Sequence, residues 1–186
     1  KYFDGPNSLD YKNNLVVLEL DHLKGKKHLQ QVVLLQLIAQ LNNEFYLGDR
    51  RVPKILLVDE AWEAFEDPMV AKFLEGAFRR MRKAAAAPVV VTQSLRDLYN
   101  SASGEAIANN AANVIVLRQN GEAIEALKES GRFNIGDYGY EMLKSLHTEP
   151  GQYSEVLFRS GTAWGVGRFV VDRFSQLLYS TMASEV

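Results

Sequence analysis

The stretch richest in chemistry is Lys54 to Trp62, KILLVDEAW, in which four apolar residues run directly into two acids, Asp59 and Glu60. Ile55 to Val58 is too short for a buried helix and is bounded upstream by Pro53, so the pattern predicts a strand buried on both faces. In an open parallel sheet, ligands sit beyond the carboxyl ends of the strands, which places the acid pair where a substrate is held. One carboxylate there can hold Mg²⁺, usually through water, while its neighbour takes a proton from an attacking water. The alternative is a strand that simply runs into a helix-capping acid.

Two further strand exits add polar groups. Val89 to Thr92 reads as a buried strand leaving through Thr92, Gln93 and Ser94, and Val114 to Leu117 leaves, with a weaker signal, through Arg118 and Gln119. Exits of parallel strands share one edge, so the acid pair and Gln93 are expected to converge although they are far apart in sequence. A glutamine beside a carboxylate dyad suits sensing a terminal phosphate or positioning water, and an arginine at the end of the intervening helix suits a finger directed at a neighbouring subunit's phosphates. Arg79, Arg80, Arg82 and Lys83 supply that cluster, beyond what capping the helix dipole requires. The arrangement is one for phosphoryl transfer, yet no G-x-x-x-x-G-K-[ST] occurs in the chain, and Gly25-Lys26-Lys27 lacks both the first glycine and the hydroxyl.

Several elements must position these groups. Asp67-Pro68 caps a helix whose apolar residues, Val70 to Met81, recur at helical spacing. Upstream, Leu15 to Leu20 reads as a strand, and Leu29 to Phe45 as a helix with an apolar face wide enough to be packed on more than one side. Downstream, short helices are expected within Leu95 to Asn110, then helices over about 122–129 and 135–146, a hairpin of Tyr153–Arg159 and Ala163–Val171, and a closing helix over 172–181. Strand and helix alternate from Leu15 to Leu117, favouring a three-layer α/β fold with a parallel core and an antiparallel hairpin at one edge.

The 186 residues, 47% hydrophobic, suffice for one sizeable core, and a formal charge of −2 gives no global basic field for sequence-independent nucleic-acid binding. With no cysteine, a disulfide framework and thiolate metal sites are excluded; His22, His28 and His147 lack zinc-helix spacing. No apolar run approaches the ~20 residues of a membrane span. Gly165, Gly167 and Arg168 form a G-x-G inside an alternating strand rather than at a helix start, so they permit close backbone approach, to adenine or to a neighbouring subunit, rather than a dinucleotide fold. Trp62 and Trp164 read as core or interface anchors.

The hydrophobic-DEAW strand, the RxRK cluster ahead of a strand ending in TQS, the FDGPNS opening and the closing run GVGRFVVDRFSQLLYST resemble the TraC-like conjugation ATPases of type IV secretion systems, in the HerA/FtsK-like branch of RecA-fold motors. The likeness covers essentially the whole chain. It implies a RecA-like three-layer sandwich with a mostly parallel sheet and a C-terminal β-hairpin. Residues 1–186 would then be the C-terminal portion of the ATPase domain, with the phosphate loop and its strand upstream. It also implies ATP and Mg²⁺ as cofactors, Asp59 as the Walker B magnesium residue, Glu60 as general base, Gln93 as γ-phosphate sensor and Arg82 as arginine finger. Arg79 and Arg80 are the other finger candidates, and with Thr92 and Arg168 they form the remaining expected nucleotide contacts. The expected partners are further copies in a hexamer, inner-membrane secretion components, and a protein or nucleoprotein substrate, at the cytoplasmic face of the inner membrane. A non-catalytic docking module and a DNA-translocating coupling motor are the alternatives. Relatives usually read RKYGG where this chain has Lys83 followed by Ala84 to Ala87: either a tight glycine turn is replaced, or the alanines stand in for other residues. A RecA-like order also separates Val114–Leu117 from Val89–Thr92, so no ladder should join them directly.

Overall fold

The computed structural model describes residues 13–23 and 25–179. The chain divides into two units, residues 1–41 and 42–186. In the first, residues 15–20 carry no strand pairing among the described residues, and Leu15 and Val17 are 79% and 78% exposed. The expected strand at Leu15–Leu20 is therefore corrected: a run of β-branched and apolar residues is compatible with a strand, but a strand needs a partner for its amide groups. A 3₁₀ turn at Asp21–Leu23 leads to helix α1, Lys27–Asn42. Leu37 is its buried residue, whereas Val32 and Leu35 stay exposed. Packing on more than one side is thus not found; apolar residues around a helix record what could be buried, not what lies opposite.

The second unit begins with a π-helical turn, Asn43–Leu47, that buries Phe45. Strands β1 (Lys54–Val58) and β2 (Ala86–Val90) pair in parallel, Lys54 opposite Ala86 and Val58 opposite Val90. Helices α2 (Ala61–Glu66) and α3 (Pro68–Arg80) connect them. The cap on α3 is the expected one: the Asp67 carboxylate accepts from the amides of Met69 and Val70, and Pro68 occupies the first turn, where a missing N–H costs nothing. β1 is covered on one face only. Leu56 and Val58 are half-buried, but Ile55 and Leu57 are 72% and 61% exposed, which corrects the expectation of burial on both faces. A continuous apolar run identifies a strand able to be covered twice, and the described residues supply one covering layer.

A 3₁₀ turn, Met81–Ala84, ends at Ala85, which holds the left-handed conformation at φ 53° and ψ 37°. Its amide donates to the Arg82 carbonyl, and its own carbonyl accepts from Lys54, so the turn is tied to the entry of β1. This is the geometry that usually selects glycine after a helix.

After β2 come α4 (Leu95–Tyr99), α5 (Ala102–Asn110), β3 (Asn113–Val116), α6 (Gly121–Ser130), α7 (Gly136–Ser145), the short β4 (Thr148–Glu149), β5 (Tyr153–Ser160), β6 (Ala163–Phe169) and α8 (Arg173–Tyr179). β3, β4 and β6 all pair antiparallel to β5, giving a sheet distinct from the β1–β2 pair. No ladder joins β2 to β3 among the described residues, as the RecA-like order requires. The main core lies behind this second sheet, where Val116 and Leu157 meet Ile124, Leu127, Leu143 and Phe133. Trp164 packs edge-on against Phe133 at 5.6 Å, the anchoring role its size suggests. The hairpin and the late helices lie within a few residues of expectation; residues 180–181 of the closing helix, and the FDGPNS opening, lie outside the described residues.

Candidate functional site

β1 and β2 both run toward one edge, and the chain leaves each through a polar residue whose position is fixed locally. At the exit of β1 the backbone turns sharply. The Asp59 carboxylate accepts from the Glu60 amide at 2.9 Å, Glu60 adopts φ 48° and ψ 44°, and α2 starts at the next residue. The left-handed conformation is rare for a side-chain-bearing residue and costs of order 1–3 kcal/mol, so it persists only where the surroundings enforce it. They do so through Ala61, fully buried, whose amide donates 3.0 Å to the Val91 carbonyl, and through Val91, whose amide donates 2.9 Å to the Val58 carbonyl. The elbow is thereby stapled to the neighbouring strand end.

That staple brings the two exits together. Gln93 Nε2 donates to Glu60 Oε1 at 3.0 Å across 33 residues of sequence. The second carboxylate oxygen, Oε2, accepts from the Trp62 indole at 2.6 Å. Trp62, 38% exposed, is thus not a core anchor but a donor that orients Glu60, a role for which its position two residues after the acid was the only sequence signal. Gln93 is held in place by the start of α4: Ser94 and Asp97 form a reciprocal capping box there, with Ser94 Oγ accepting from Arg96 and Asp97 Oδ2 accepting from Ser94. The weaker third exit arrives here too, because Gln119 Oε1 accepts from the Leu95 amide at 3.3 Å.

The other expected residues fall elsewhere or turn inward. Asp59 is exposed at the edge with one oxygen on the Glu60 amide. Thr92 donates its hydroxyl to the Ser94 carbonyl and so shapes the turn. Arg79, Arg80 and Arg82 sit ahead of β2, at the opposite end of the parallel pair from Glu60 and Gln93. Arg79 is bound to Glu75 at 2.7 Å, Arg80 lies 5.9 Å from the Tyr46 ring centre and donates to the Gly76 carbonyl, and Arg82 is exposed with no partner among the described residues. Arg168, in β6, is engaged by Glu155 at 3.2 Å and stacks on Tyr153 at 4.2 Å.

Among the described residues no three His, Asp or Glu side chains gather as a metal site. Asp59 fits Mg²⁺ in the usual manner of this ion with nucleotides: a hard, exposed carboxylate oxygen contributing one ligand, or one bonded water, alongside phosphates and water.

A strand pair delivering an acid pair and an amide to its carboxyl edge, beside an antiparallel hairpin sheet, is the layout of RecA-like P-loop proteins. The chain belongs to the TraG P-loop domain family, whose model matches residues 4–185. Protein TraC of Escherichia coli (strain K12) is 29% identical over 140 residues, 72% of this chain. VirB4 of Thermoanaerobacter pseudethanolicus superposes with a TM-score of 0.67 at 22% identity, over 92% of this chain, and so shares its fold. The chain spans 15% of the length of TraC and 46% of that VirB4 chain. The TraC-like resemblance and the α/β fold read from the sequence both stand. Among the described residues, no helix is long and apolar enough to cross a membrane.

Proposed function

We propose that the chain is the Walker B-onward part of an ATPase that powers assembly of, or transfer through, a type IV secretion machine, with the phosphate loop contributed by sequence upstream of Lys1. The observation that carries this reading is the 3.0 Å contact between Glu60 and Gln93 at the carboxyl edge of a parallel pair. Glu60 accepts a proton from the attacking water, and the indole of Trp62 keeps its carboxylate in place. Gln93 lies beside it and registers the terminal phosphate. Asp59 would hold the Mg²⁺ that accompanies ATP, whose charge would offset that of the phosphates. The separation of β2 from β3 supports a phosphate-loop strand between them, and exposed Ile55 and Leu57 support a further covering layer. Arg82, exposed and unengaged, at the edge away from Glu60 of its own chain, suits an arginine finger acting on an adjoining copy in a ring. Placement at the cytoplasmic face of the inner membrane then follows through the machine's membrane components.

The test is Glu60→Gln in the full-length protein. Trp62 still donates to the amide oxygen, and Gln93 can rotate its exposed amide to accept from the new NH₂, so folding and ATP binding persist. Turnover should fall by about 10²–10⁴, the usual contribution of a positioned base. ATP hydrolysis at the normal rate would refute the base assignment.

A further inference from the structure

Gln93 is carried to the site just ahead of α4, and a helix of five residues has too few internal hydrogen bonds to hold its own position. What holds it lies outside the β1–β2 pair. Leu95 and Leu98 pack against the core behind the second sheet, and Tyr99 is buried in that core with its ring centre 6.0 Å from that of Phe133. Both ends of the helix are bound by residues that flank the same core. At its start the Leu95 amide donates to Gln119, from the exit of β3, at 3.3 Å. At its end the Tyr99 carbonyl, one of the acceptors a helix leaves unsatisfied, takes Nη1 of Arg132 at 2.6 Å across 33 residues of sequence. The backbone of Arg132 is fixed from both sides. Gly131, left-handed at φ 64°, ends α6 and turns the chain, while Phe133 is buried between Tyr99 and Trp164. Arg132 makes no ion pair among the described residues, so its charge is directed to the carbonyl, and that bond is shorter and stronger than the neutral one from Leu95 to Gln119. Glu60, by contrast, is placed by the staple of Ala61 to Val91 within the β1–β2 pair. The Glu60–Gln93 contact is therefore where two separately held parts of the fold meet, and its length depends on both.

We propose that Arg132 is a positioning residue for Gln93: by clamping the far end of α4 it keeps the Gln93 amide in register with Glu60, and Gln119 does the same more weakly from the near end. Arg132 acts through Gln93 and not on the nucleotide, so its effect on turnover rests on the hydrolytic reading above. The clamp itself does not.

Two measurements on the full-length protein test the two statements. Amide exchange over residues 94–100, followed by mass spectrometry without ATP, reads the clamp: it should quicken about tenfold in Arg132→Ala, the fold-change of one charge-assisted bond, less in Gln119→Ala, and not at all in Glu60→Gln. Unchanged exchange in Arg132→Ala overturns the proposal. ATP turnover reads the consequence. Arg132→Ala should lower kcat by about tenfold or more, the effect of a small misplacement near the reacting group, while KM for ATP stays within about twofold. Arg132→Lys keeps a charged donor and should regain most of the loss, which separates the clamp from failure to fold. In a Gln93→Ala background Arg132→Ala should cost nothing further, because residues acting as one unit are not additive, whereas loss of folded protein multiplies in every background. An equal fall in both backgrounds, or no fall beside an impaired Gln93→Ala, overturns the proposal. Quickened exchange together with normal turnover in Gln93→Ala leaves the clamp standing and removes the hydrolytic reading of Gln93 instead.

Discussion

Replacing Ala85 by glycine should stabilise the protein, against the usual direction of glycine substitutions. Ala85 sits at φ 53° and ψ 37°, close to the ideal left-handed values, and a Cβ in that conformation costs roughly 1–2 kcal/mol that glycine does not incur. Glycine loses more freedom on folding, which returns roughly 0.5–1 kcal/mol to the unfolded state. Ala85 is exposed, so its methyl group surrenders little buried area, and its hydrogen bonds to Arg82 and Lys54 are made by the backbone and persist. The net gain is about 0.5–1 kcal/mol, which at a urea slope of about 2 kcal/mol/M raises the unfolding midpoint by about 0.25–0.5 M. Ala87 provides the control. It is exposed in β2, where it precedes Pro88 and is held extended, so Ala87→Gly should lower the midpoint by about 0.5–1 kcal/mol in free energy. Urea unfolding followed by tryptophan fluorescence reads both. Midpoints moving in the same direction would refute the argument from backbone strain, and with it the account of the turn that ties α3 to the entry of β1.

Asp67→Ala removes the acceptor for the amides of Met69 and Val70 and should cost about 1 kcal/mol in the same measurement, with Asp67→Ser recovering most of it. A Cβ at Gly104 would lie inside contact distance of the Leu98 carbonyl oxygen, so Gly104→Ala should cost about 1–3 kcal/mol by forcing α4 and α5 apart. Because α4 begins at the residue after Ser94, the same variant should also weaken turnover by displacing Gln93. Burial raises the Tyr99 and Tyr140 hydroxyls above their ordinary value of 10.0, and Tyr140 also donates to the Phe133 carbonyl. A raised folded value means the folded state holds these protons more tightly. Their contribution is therefore complete below pH 10 and is lost as pH rises through the folded values, which an alkaline urea series should detect and Tyr140→Phe should diminish.

The sequence alone determined the pieces whose causes are local. A short apolar run ending in Asp59-Glu60, an Asp-Pro helix start at 67–68 and a period-2 hairpin after Gly151 are each set by side-chain sterics and hydrogen bonds within a few residues, and each is in place; the strand expected at Val89–Thr92 lies instead at Ala86–Val90, ending two residues before Thr92. Where the reading depended on a neighbour it failed or stayed silent. Leu15–Leu20 has the apolar composition of a strand but no ladder among the described residues, and Ile55, Leu57, Val32 and Leu35 have the composition of buried residues without the burial. Apolar periodicity encodes which face can be covered, whereas burial requires a second surface that no local pattern names. The left-handed backbone of Glu60 and the Trp62 indole on its carboxylate were equally illegible, since both depend on stapling Ala61 to Val91 across two strands. Tertiary structure also decided the division of the charged groups. Parallel pairing of β1 with β2 sends Glu60 and Gln93 to one edge and Arg50, Arg80 and Lys83 to the other, because strands running the same way put their exits together and their entrances together.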